Sequence, residues 1–209
     1  MKACSRAKKI FKSFPLDVQK YFLKIDNRCK KANITLKLTS GKSVNSGGRC
    51  GGYFDAGTRE IVVAIGRGLE SVLCCAEHEF QHCFGQFLKP KSIWHKKGII
   101  TGHSRFSNYL SGSRIYKTKE CAAATLLLEL DCERKTLRAL KKWSKYVDFK
   151  KATRCANAYV FSHYKMLETG KWLKKPLYIK HILAHCPDIL IKKNSKLPLK
   201  LKIAFDRYL

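Results

Sequence analysis

Residues 78–82 read His78-Glu79-Phe80-Gln81-His82, and the chain around them is organised to present this stretch. On an α-helix, positions i and i+4 lie one above the other on a single face. His78 and His82 can therefore point imidazole nitrogens at one ion, and neutral imidazole is a common zinc ligand. Glu79, one step round the helix, stands where a carboxylate can take a proton from a water that the ion activates. The flanks fit a helix from about Leu69 to Phe84, opened after Gly66 and Gly68 and capped by Gly85.

Working outward towards the N-terminus, Arg59–Ile65 (REIVVAI) reads as a strand. With Tyr53-Phe54-Asp55 and a tight turn at Ala56-Gly57 it forms a β-hairpin. Residues 41–52 (GKSVNSGGRCGG) form a Gly/Ser-rich loop. Its Gly-Lys-Ser is not a phosphate-binding loop, because the first glycine of that motif would fall at Leu36. Ile34, Leu36 and Leu38 alternate as in a strand, and Pro15–Lys31 carries apolar residues at helical spacing.

Beyond the motif, residues 86–118 read as mostly irregular, with room for short helices. Helices follow over about Glu120–Trp143 and Lys150–Thr169, with a shorter one near Leu177–Cys186 and a basic tail over Lys192–Lys202. This order predicts an α+β fold in which a small antiparallel or mixed sheet packs on helices. The expected division is a core over residues 1–143 and a basic, helical C-terminal extension over residues 144–209 packed on it.

A zinc site that keeps one position open to water takes three protein ligands. The helix containing Glu129-Leu-Asp131-Cys-Glu133 offers a third. Leu126, Leu130 and Leu137 share one face, Glu129 and Glu133 fall on or beside it, and Asp131 points elsewhere. Carboxylates within an apolar stripe are costly unless paired or metal-bound. Glu129 is thus a candidate ligand, and Glu133 a candidate acceptor for the second N–H of a ligating histidine. His103, in Gly102-His-Ser-Arg-Phe106, is the rival ligand. Of 15 acidic residues, Glu77, Glu79, Glu129, Asp131 and Glu133 make up a third and cluster in these two motifs.

The 209 residues are 45% hydrophobic, enough for a core, yet no run approaches the ~20 apolar residues that span a bilayer. The N-terminal MKACSRAKKIFKSF lacks an apolar run of secretory length, so no export signal is expected. The ten cysteines are scattered without a Cys-x-x-Cys pair, which predicts reduced thiols and a cytoplasmic location. A net charge of +28 attracts polyanions, so non-specific nucleic-acid contact through a basic surface is a second functional expectation.

Residues 53–137 resemble a minimal zincin metallopeptidase of the gluzincin type, through REIVVAI, HEFQH and ELDCE. The resemblance implies zinc held by His78, His82 and Glu129, Glu79 as catalytic base and Glu133 orienting a ligand histidine. It also implies that Arg59, Glu60, Ile61, Val62 and Val63 form the sheet edge along which an extended protein or peptide substrate binds. HEFQH, ELDCERKT, Ala156-Asn-Ala-Tyr159, Tyr164 and Lys171-Trp172 resemble uncharacterised metallopeptidase-like proteins often encoded by bacteriophages, which would make the location host cytoplasm. SprT-like proteases, which act on DNA-bound protein, share HExxH followed by Gly-His and are a second likeness. Here the spacing to Gly102-His103 is longer, and the Glu129 helix departs from their pattern. An oxyanion donor is also needed; His163, Tyr159 and Tyr164 are candidates for it.

Overall fold

A computed structural model describes residues 1–46, 49–113, 115, 119–172, 177–192 and 195–208. Residues 47–48 of the glycine-rich loop, 114 and 116–118 of the expected irregular stretch and 193–194 of the basic tail lie outside the described residues. The chain is α+β and divides into two compact units, Met1–Leu88 and Lys89–Leu209.

The first unit opens with β1 (Lys2–Ala3), α1 (Ser5–Lys12) and α2 (Leu16–Lys31). It continues through β2 (Thr35–Thr39), β3 (Val44–Asn45), β4 (Arg49–Cys50), β5 (Gly52–Asp55) and β6 (Glu60–Ala64), and ends in α3 (Leu69–Phe80). The four-stranded sheet has the order β1-β2-β6-β5, parallel except for β5, and β3 and β4 form a separate antiparallel pair. Alternation puts Leu36 and Leu38 of β2 beside Ile61 and Val63 of β6 on one face. All four are buried, as are Phe22 of α2 and Phe80 of α3, whose rings stand edge to face at 5.9 Å. On the other face Lys37 pairs with Glu60, and Tyr53 donates to the same carboxylate at 2.9 Å. The lysine beside it holds the Glu60 carboxyl below its usual range, while burial and the bond to Glu60 push Tyr53 up to about 12.

The expected hairpin is present as β5–β6, with Gly52 opposite Val63 and Asp55 opposite Glu60. Asp55 Oδ1 accepts from the Gly57 and Thr58 amides at 2.8 and 3.0 Å, which sets the turn. The expected substrate edge, however, needs correction. Arg59 lies in the turn with φ 53°, and its guanidinium donates to the carbonyls of Ala32 and Asn33 just beyond α2. Glu60, Ile61, Val62 and Val63 belong to β6, which is hydrogen-bonded to β2 on one side and β5 on the other. A strand paired on both sides has no main-chain groups left for a substrate. The antiparallel edge strand is β5.

Two other expectations change. Gly85 does not end the motif helix; it lies inside a π-helical segment, Gln81–Phe87, that continues α3, with the Leu88 amide bonded to the Cys83 carbonyl at 2.8 Å. Glycine loses little by leaving α geometry, so it fits a widened turn as well as a cap. Residues 5–12, assigned no element from the sequence, form the short helix α1, in which Ala7, Ile10 and Phe11 recur at helical spacing and Ala7 and Phe11 are buried.

The second unit is helical: α4 (Ile99–Leu110), α5 (Lys119–Leu140), α6 (Phe149–Thr169), α7 (Lys180–Leu183) and α8 (Leu199–Tyr208). Helix α4, within the stretch expected to be irregular, packs on α5, where a Cβ on Gly102 would lie 2.7 Å from the Ala124 Cβ. Asp148 caps α6 by accepting from the Lys151 amide at 3.0 Å, and Gly170 closes it with φ 67°. Phe161, Ile182, Leu201 and Phe205 form a core joining α6, α7 and α8. Buried Asn157 ties down residues 187–191, donating to the carbonyls of Pro187 and Ile189 and accepting from the Ile191 amide. None of the ten cysteines is disulfide-bonded, and among the described residues no helix is long and apolar enough to cross a membrane.

Tyr21 of α2 donates to Glu77, the buried acid that precedes the motif, and burial together with that carboxylate pushes the Tyr21 phenol well above its ordinary range. Tyr21→Phe removes this donor from a buried carboxylate, and denaturant unfolding should show a loss of about 1–3 kcal/mol.

Candidate metal centre

Helix α3 carries the motif because its buried face, Val72, Leu73, Ala76 and Phe80, packs on the sheet and leaves His78 half-buried. His78 Nε2 and His82 Nε2 face each other at 3.0 Å, with the rings edge to face at 4.6 Å. Two nitrogens bound to one tetrahedral ion at about 2.0–2.1 Å stand about 3.3 Å apart. The pair therefore needs only a small adjustment to share an ion. His82 Nδ1 donates to Gln86 Oε1 at 2.8 Å, which puts the ring proton on Nδ1 and leaves the Nε2 lone pair for a ligand. Gln86 is fully buried, and its place in the π turn brings the amide to the ring. The sequence offers this residue only through its i+4 spacing from His82, and the ring acceptor expected from the sequence is the carboxylate of Glu133.

Glu79 is buried against strand β5. A Cβ on Gly52 would lie 2.5 Å from the Val62 carbonyl oxygen, 3.0 Å from Cys75 Sγ and 3.4 Å from Glu79 Cγ. Glycine at this position leaves room for the Val62 carbonyl of β6 and for the Cys75 and Glu79 side chains of α3. Burial pushes the Cys75 thiol far up, and the charge of Glu79 adds to the effect. Cys50 is raised for the same two reasons, in the same order. These two thiols are therefore protonated at neutral pH and are poor nucleophiles.

Within the second unit, Glu129 and Glu133 are both buried on α5, on the flank that also buries Cys132. Asp131 turns to Lys135 one turn on. Of the five acids concentrated in the two motifs, Glu77 thus bonds Tyr21 and Asp131 bonds Lys135. His103 lies on α4, not in a loop, with Nδ1 at 3.3 Å from Thr125 Oγ1 of α5. His163 is buried, its Nδ1 donating to the Tyr159 carbonyl at 3.0 Å, and Tyr164 donates to the Ser195 carbonyl.

No protein-family model, curated protein or solved structure matches the chain. Its functional reading rests on the side chains themselves.

Gly52→Ala drives a methyl into a backbone carbonyl that has nowhere to move. Unfolding measurements should show a loss of about 1–3 kcal/mol, and a stability equal to wild type would mean that β5 can shift away from the Val62 carbonyl of β6.

Proposed function

We propose that the chain is a zinc-dependent metallopeptidase in which His78, His82 and Glu129 hold the ion and Glu79 is the general base. The observation that carries this reading is the pair of imidazole nitrogens facing each other at 3.0 Å, with the far nitrogen of His82 fixed by Gln86. Glu129 enters through the ELDCE motif and its burial on α5. When bound, zinc polarises a water and the scissile carbonyl. Glu79 takes a proton from that water and returns one to the leaving amine. A protein or peptide substrate lies extended along the open side of β5, joined to it by main-chain hydrogen bonds.

Metal content by mass spectrometry tests the ligands. Wild type should carry one zinc per chain, lost in His78→Ala and Glu129→Ala and kept in His103→Ala. Glu79→Gln should keep the zinc while peptide turnover falls by about 10²–10⁴. A wild type that takes up no zinc after reconstitution, or a Glu79→Gln protein with full turnover, would sink the proposal. Gln86→Leu fills the same space without the acceptor, and chelator competition should register zinc affinity about 10–100-fold weaker.

A second reading, nucleic-acid binding, is favoured by the exposed cations Arg6, Lys8, Lys12, Lys20 and Lys24 of α1 and α2. Retention on DNA or RNA that weakens with salt and is unchanged in Glu79→Gln would support it.

A further inference from the structure

The link between β6 and α3 holds a cation that the hydrolytic chemistry does not use. Its backbone is fixed: the Ile65 amide donates to Thr39 O and the Gly66 amide to Gly41 O, both at 2.9 Å. A Cβ on Gly66 would lie 2.1 Å from the Ser40 carbonyl oxygen, so the link is seated tightly on the end of β2. From this anchor the half-buried Arg67 reaches across the start of the edge strand. A Cβ on Gly51 would lie 2.1 Å from Arg67 Nη1, 3.4 Å from its Cζ and 3.0 Å from Cys75 Sγ. Gly51 and Gly52 are thus a side-chain-free track. Arg67 lies over the first glycine, Glu79 lies against the second, and Cys75 touches both.

Among the described residues Arg67 makes no ion pair and no hydrogen bond with a carboxylate. A guanidinium has five donors in a planar fork that matches a carboxylate in bidentate fashion, so a partly desolvated one with no acidic partner is prepared for an anion from outside. Cys50 and Cys75 sense both charges: burial and Glu79 raise the two thiols and Arg67 opposes them, which puts cation and general base in one electrostatic neighbourhood. Successive residues of an extended chain are about 3.3 Å apart. A peptide placed with its scissile bond at Glu79 therefore brings a neighbouring residue to Arg67.

We propose that Arg67 is the specificity-determining residue of this site, binding a substrate carboxylate within about two residues of the scissile bond. The ligand is a carboxylate, either a Glu or Asp side chain or the terminal α-carboxylate of a peptide. The assignment rests on the hydrolase reading for the scissile bond, and on the glycine track alone for anion binding.

Two measurements separate these dependences. The first is NMR titration of zinc-loaded Glu79→Gln protein, following the Arg67 side-chain Nε–H signal, which is identified by its absence in Arg67→Lys. The probes are N-acetyl-glutamate amide for a side-chain carboxylate, N-acetyl-alanine for a terminal carboxylate and N-acetyl-glutamine amide as the neutral control. A saturable shift with one or both acids and none with the amide supports the site and names the source. No shift with either acid overturns it, whatever the protein hydrolyses.

The second is cleavage-site mapping on a peptide library at physiological salt, with wild type, Arg67→Gln, Arg67→Glu and the charge-matched control Lys9→Glu on α1. Wild type should favour acidic residues or a free C-terminus near the cut. Arg67→Gln should lose about tenfold or more in kcat/KM on the favoured peptides and little on their amides. Arg67→Glu should turn the preference towards Lys and Arg, while Lys9→Glu leaves it in place. An acidic preference that survives Arg67→Gln, or that Lys9→Glu removes equally, refutes the role of Arg67. Absence of all cleavage by zinc-loaded wild type refutes the peptidase reading and leaves the anion site to the NMR result.

Discussion

The space beside Gly52 is filled from two sides, by the Val62 carbonyl of β6 and by the Cys75 and Glu79 side chains of α3, and the candidate site depends on that close fit. The nearest atom is the β6 backbone carbonyl, Val62 O, which cannot yield without breaking the sheet. With the helix held there, Glu79 is buried against the strand and His78 stays half-buried one residue earlier. The apolar packing of α3 on β5 and β6 supplies the force, and the glycine leaves the room.

Charge is the second organising constraint. A chain with +28 net charge has few acids, and several of them are engaged in structure. Glu60 holds Lys37 and Tyr53 on the sheet, and Asp188 holds Lys150 and Arg154 beside α6. Asp206 meets Lys165, tying α8 to α6. Glu79 is buried beside Gly52 and Cys75, where low polarity strengthens its interactions with its neighbours.

The parts of the fold with strong local patterns were legible in the sequence. Helix α2, strands β2, β5 and β6, and helices α3, α5 and α6 all declare themselves by apolar spacing, as does the α+β class by their order. What was not legible depends on pairing at long range. Nothing within REIVVAI says that β2 occupies one side of it, so an interior strand passed for an edge. The π turn is invisible because its residues keep the apolar character of an α-helix, and α4 was hidden by its Gly and Ser content. At the site, the two histidines and Glu79 follow from spacing alone. Gln86 and Arg67 do not, because one acts through ring orientation and the other through a glycine that faces it in space.

The π segment carries a consequence for how this chain tolerates change. A π turn is an α-helix with one surplus residue, and here the surplus falls within Gln81–Phe87, just where the ring of His82 meets its acceptor. Substitutions at its outward positions leave that meeting intact. Relaxing the turn into ordinary α geometry with no residue removed would push that surplus onward and carry the residues after His82 round the helix axis by about 100°. Whatever then stood four places on would face a different direction. The segment is constrained in its turn geometry more strictly than in its letters, and a return to α geometry at unchanged length disconnects the histidine from its support even when every named side chain is kept.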